Sequence, residues 1–169
     1  MDAATQAWLD QEDARVADVI RRHGWYIQYV GGGLCSRPGC DGGDDEGPAF
    51  AYTVGLFGLG HPELLIFDVD PHTAHDLLNA LGNKVKSGVD LLPGQLITLE
   101  GWSYRIIPEE VPNPGDVVFT ANRFYRRPDE ASVPVLQLSY DDEEGRFPWE
   151  AEYDHCALQP RPGRFTAWS

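Results

Sequence analysis

Three features of the 169-residue sequence predict an α+β fold, with about three helices packed against a mostly antiparallel sheet. Residues 3–22 and 71–87 carry apolar side chains at helical spacing. Several short runs alternate in the period of a half-buried strand, and Glu100-Gly101 between two of them is a hairpin signal. No internal repeat and no Pro/Gly/Ser linker divides the chain, so residues 1–169 are expected to form a single domain.

The elements follow in order. In residues 3–22, Ala4, Trp8, Val16, Val19 and Ile20 share roughly one helical face, Asp10, Glu12, Asp13 and Arg21 take the other, and Gly24 supplies the stop. A strand over residues 25–30 then runs into Gly31-Gly32-Gly33 and the Gly/Asp-rich segment 35–47, whose composition cannot build a packed element and reads as a long loop. The most apolar stretch, residues 49–81, reads as strand, turn, strand, helix. Phe50, Tyr52 and Val54 alternate, residues 64–69 form a continuous apolar run, and the turn between them leaves His61 and Glu63 near the start of the second strand. Pro71 suits the first turn of a helix whose stripe is Ala74, Leu77, Leu78, Leu81 and Val85, and Gly88 can close it.

Residues 94–99 and 102–107 are expected to pair as a hairpin. Asp116 is expected to cap a helix in which Val117, Ala121, Phe124 and Tyr125 face the core, with Pro128 ending it. Residues 133–140 alternate as a last strand. The tail, residues 146–169, is rich in proline and aromatics and reads as irregular structure packed over the domain, with Phe147 and Trp149 mostly buried.

Thirteen Lys and Arg against 27 Asp and Glu give a net charge of −14, which repels nucleic-acid phosphates and anionic membranes. The N-terminus lacks a basic region followed by an apolar run, and no stretch approaches roughly 18 apolar residues. A cytoplasmic protein is expected. Three cysteines form an odd count that argues against a disulfide framework.

Tyr52-Thr-Val-Gly-Leu56, His61-Pro-Glu-Leu64, the LQLSYDDEEGRFPWE segment over residues 136–150 and Gln159-Pro160 together resemble a bacterial family, domain of unknown function 4262. The resemblance spans about residues 16–162 and implies a small bacterial cytoplasmic α+β domain without an assigned reaction. The loop 35–47, with two cysteines, departs from the family pattern, so any role of those cysteines would be particular to this chain. The Tyr52 to Leu56 motif followed by an apolar strand is also similar, at fold level only, to suppressor-of-fused and SUKH immunity domains.

The most suggestive polar set is His61, Glu63, His72 and His75. His72 and His75 are three apart on a predicted helix, and His61 and Glu63 sit in the turn before the adjoining strand, as a metal or acid/base site needs. Catalytic candidates are therefore His61, Glu63 and His75. The commoner role for such a turn carboxylate is structural, with Glu63 accepting backbone N–H bonds.

Cys35 and Cys40 have zinc-knuckle spacing, and Cys156 joins them, with His72 and His75, as a candidate metal ligand. Without a second paired spacing no metal is favoured. No nucleophile elbow or cofactor fingerprint appears, so covalent catalysis is unsupported and no cofactor is expected.

Arg123, Arg126 and Arg127 would share a helix face and suit a small anionic ligand or acidic partner segment, or else pair with the protein's own acids. Tyr52, His61 and Glu63 complete the candidate ligand-binding residues. The leading expectation is a binding or interaction domain for a protein partner or small ligand. The alternative is a small hydrolase or metal-dependent enzyme using the His61, Glu63, His72 and His75 region, and a third class is an immunity or regulatory partner.

Overall fold

The computed structural model describes residues 2–31, 48–153 and 159–167. Cys35, Cys40 and Cys156, and with them the segment 35–47, lie outside the described residues.

Asp2 starts the first helix by accepting the Thr5 N–H on its carboxylate at 2.7 Å, and Gly24 ends it in left-handed backbone (φ 99), donating its N–H to the Ile20 carbonyl. Helix α1 runs Ala3–His23. Its 21 residues make a rod of about 31 Å, whereas the five-residue strands beside it span roughly 17 Å. The first turns therefore overhang, so Trp8, expected in the buried stripe, is 58% exposed while Val16 is buried.

The strands are β1 (Tyr26–Val30), β2 (Phe50–Val54), β3 (Glu63–Phe67), β4 (Ile106–Glu110) and β5 (Val135–Tyr140). They form one sheet in the order β1-β2-β3-β5-β4. Antiparallel pairing joins β1 to β2, β2 to β3 and β4 to β5. The sheet is nevertheless mixed, because β5 enters between β3 and β4 and runs parallel to β3, with Glu63 opposite Val135. Parallel neighbours need a long crossover, and the 67 residues between Phe67 and Val135 supply it through helix α2 (Pro71–Lys86), β4 and helix α3 (Phe119–Phe124).

Alternation divides the core between the two faces. Ala51, Leu64, Ile66, Leu136 and Leu138 face α2, which presents Ala74, Leu77, Leu78, Leu81 and Val85 as its spacing predicts. Each leucine so buried stabilises the fold by roughly 1.5–3 kcal/mol. Phe50, Tyr52, Leu65, Phe67 and Val135 face α1, α3 and the C-terminal segment, whose Phe165 meets Phe50 and Phe67 edge-on at 5.2 and 5.0 Å.

Three further expectations need correction. The hairpin over 94–107 does not form: Ile97 and Ile106 make a single bridge, and β4 begins only there. Ile106 directs its N–H and carbonyl outward to Ile97, so the next outward position, Pro108, has no N–H to continue the ladder and only accepts from Gly94 at 2.8 Å. The helix expected from Asp116 is a 3-10 turn (Pro114–Asp116) followed by the six-residue α3, because Pro114 sets that turn and Val117 leaves helical backbone. Of the tail aromatics, Phe147 is buried but Trp149 is 43% exposed, since it stacks on the outside of Phe147 at 4.9 Å.

Candidate functional site

The chain between β2 and β3 reverses through Gly55 and a 3-10 turn (Leu56–Leu59) closed by Gly60. Gly55 has φ 135, and a Cβ there would lie 2.7 Å from the Gly24 carbonyl oxygen, so no other residue fits without displacing backbone. This conformation turns three successive N–H groups inward. Glu63, the first residue of β3 and fully buried, accepts all three: Leu56 N–H on Oε1 at 3.0 Å, and Gly55 and Phe57 N–H on Oε2 at 2.9 and 3.2 Å. Thr53 donates its hydroxyl to Oε1 at 2.8 Å and accepts the Leu64 N–H in turn. Burial pushes the Glu63 carboxyl up to about 7, while the four hydrogen bonds pull it down. The role anticipated for Glu63 as a collector of turn N–H groups is the one observed.

His61, only 3% exposed, is fixed just as fully. The Pro62 carbonyl can only accept, so Nδ1 carries the proton and donates it at 2.7 Å, leaving Nε2 to accept the Leu91 N–H at 3.0 Å. Both ring nitrogens are occupied. The imidazole thereby ties the β2–β3 turn to the segment that follows α2.

The other candidates lie apart from this pair. His72 faces Asp76 at 3.3 Å and His75 accepts from Asn79 at 3.0 Å, both along the exposed side of α2. Asn79 also accepts the Trp25 indole N–H, so the His75–Asn79 pair anchors a core ring. Among the described residues no group of three or more His, Cys, Asp or Glu is arranged to hold a metal ion. Tyr52 is buried and accepts the Thr120 N–H at 3.1 Å, which pins α3 to the sheet, and burial raises its hydroxyl pKa.

The three arginines do not share a helix face, because α3 stops at Phe124 and Arg126 adopts left-handed backbone (φ 55). Arg123 pairs with Asp13 on α1 at 2.7 Å. Arg127 donates to the Ala131 carbonyl at 2.6 Å and lies 5.6 Å over the Phe57 ring.

Beside His61 opens a cleft of about 550 Å³ that sequence reasoning missed. It lies at the end of the sheet where the parallel strands β3 and β5 begin and the antiparallel β4 ends. Pro62 and Pro134 immediately precede those two strands, and Pro93, Pro112 and Pro114 complete a wall of pyrrolidine rings. Leu91, Leu92 and Val111 add apolar surface, and Asp90 and Glu110 are its charged lining groups. A proline directly before each of two apolar strand runs was the available signal, but only the parallel pairing brings the two together.

A family profile described as Domain of unknown function (DUF4262) matches residues 19–154, and the chain belongs to that family. No curated protein and no solved structure matches it.

Proposed function

We propose that this member of the family is a cytoplasmic binding domain without covalent catalysis, and that its ligand site is the proline-lined cleft. The observation that supports the reading is the saturation of His61 and Glu63. Each turns its hydrogen-bonding positions onto the protein itself, so neither presents a free lone pair to a substrate in this arrangement. They hold the cleft in shape: His61 fixes Leu91, and Glu63 donates its own N–H to the Pro134 carbonyl at 3.0 Å. Apolar walls with a few polar groups at the edge are what small-ligand and peptide sites share.

The test is an amide-resolved titration of labelled protein with phenol and isopropanol as apolar probes. Shifts gathered at Leu91, Leu92, Val111 and Val135 are expected. Shifts gathered instead at the hollow formed by Tyr26, His75 and Asn79 would move the site, and a stoichiometric metal lost on His72→Ala or His75→Ala would favour the alternative, a metal-dependent enzyme.

A further inference from the structure

The cleft does not end at Glu110. A second hollow of about 560 Å³ shares Pro93 and Glu110 with it and continues past Pro108 and Glu109 to Trp149, Arg161 and Pro162. The two make one groove across the end and outer edge of β4.

Its surface has two characters. Leu92, Leu96 and Val89 stand exposed on the segment that supplies Asp90, Leu91 and Pro93 to the wall, and Trp149 is exposed at the far end. Such water-facing apolar groups beside a groove mark a surface that another molecule covers. The charges along it are the carboxylates of Asp90, Glu109 and Glu110, with Arg161 as the one cation among the lining residues.

Arg161 shows how this groove holds a basic residue. Its guanidinium forks onto Glu109, Nη1 to Oε1 at 2.6 Å and Nη2 to Oε2 at 2.8 Å, and lies 4.8 Å over the Trp149 ring. Ser139 donates its hydroxyl to the same Oε1 at 2.7 Å, and Gln137 donates to the carbonyl of Pro160 at 2.6 Å. The chain's own Pro160-Arg161-Pro162 thus lies against one end as a short basic, proline-flanked segment. Toward Asp90 and Glu110 the groove is open, and neither carboxylate has an ion-pair partner among the described residues.

We infer that the groove binds an extended segment of another protein in which arginine or lysine alternates with proline or leucine. The inference rests on the binding-domain reading above and names the partner for it. Proline rings and an exposed tryptophan suit a ligand already in the polyproline conformation, which loses little entropy on docking. The acids of the groove, within a chain of net charge −14, attract and orient the basic residues.

Two blocked peptides of sequence Leu-Pro-Arg-Pro-Leu-Pro test it, one with arginine and one with citrulline, which keeps the shape and removes the charge. Titrated into the labelled 169-residue chain, the arginine peptide should shift the amides of Leu92, Glu110 and Val111 and the Trp149 indole. It should bind about tenfold more tightly than its citrulline twin and weaken with added salt. Asp90→Asn and Glu110→Gln should each cost about threefold in affinity, the scale of an exposed ion pair. Equal binding of both peptides, or no binding of either, overturns the inference. If phenol still marks the cleft in that case, the ligand site stands and only its partner is wrong; if phenol fails too, both readings fall. Shifts that appear on raising the protein concentration alone would assign the groove to the Pro160-Arg161-Pro162 segment of a second copy and overturn it as well.

Discussion

Around Glu63 four donors converge on one buried carboxylate, and His61 spends both ring nitrogens on the backbone. The adjoining cleft is built the other way, from proline rings and leucines with two carboxylates that have no cationic partner among the described residues. The first region is rich in chemistry and closed; the second is poor in chemistry and open. Their difference teaches that a polar group's use depends on what remains unpaired after folding, since a buried group without a partner costs far more than an exposed one.

The largest effect should come from breaking the closed region. Glu63→Ala strands three inward N–H groups and the Thr53 hydroxyl, and each orphaned buried donor costs about 1–3 kcal/mol, so chemical denaturation at a pH below the folded pKa of about 7 should show a loss of at least about 3 kcal/mol. A loss below 1 kcal/mol would mean that the turn does not depend on this carboxylate.

The same group sharpens the comparison through pH. Its folded pKa, about 7, lies above the ordinary 4.5, so between these values the folded chain binds more protons here than the unfolded chain. The contribution of Glu63 to stability is therefore complete below about pH 4.5 and is lost as the pH rises through about 7. A carbon-13 titration of the Glu63 carboxyl should show a midpoint near 7, and one near 4.5 would contradict the dominance of burial over its hydrogen bonds.

How much of this was legible in the sequence depends on how local the cause is. Gly24 and Pro71 mark helix boundaries by their own backbone chemistry, and both predicted helices form with their ends within a residue or so of expectation. Glu63 was legible for the same reason: a carboxylate eight residues after Gly55 can reach the turn that the glycine opens. The parallel entry of β5 beside β3 was not, because nothing in residues 135–140 encodes which strand they will meet. That one pairing sets Pro62 beside Pro134, and with it the cleft. The arginines show the converse. Arg123 does pair with one of the protein's own acids, but the sequence does not say which, and the one it meets is Asp13, 110 residues earlier.

Smaller effects test that pair and the open region. Arg123→Ala removes a half-exposed ion pair with Asp13 and should cost about 0.2–1 kcal/mol in thermal or chemical unfolding. A cost above 2 kcal/mol would make the arginine part of the fold's core support. Asp90→Asn should change stability by less than about 0.5 kcal/mol, because the side chain is exposed and makes no ion pair among the described residues. A larger loss would show that the cleft carboxylate, like Glu63, serves the fold.

The most direct test of the contrast is the nitrogen-15 spectrum of the His61 imidazole in the folded protein. The two hydrogen bonds require a single neutral tautomer, with the proton on Nδ1 and a bare Nε2 coupled through a hydrogen bond to the Leu91 amide. A proton on Nε2, which could then be donated to a substrate, or a bare Nε2 without coupling to Leu91, which could then accept from a substrate or ligate a metal, would contradict the claim that His61 builds the cleft rather than reacting in it.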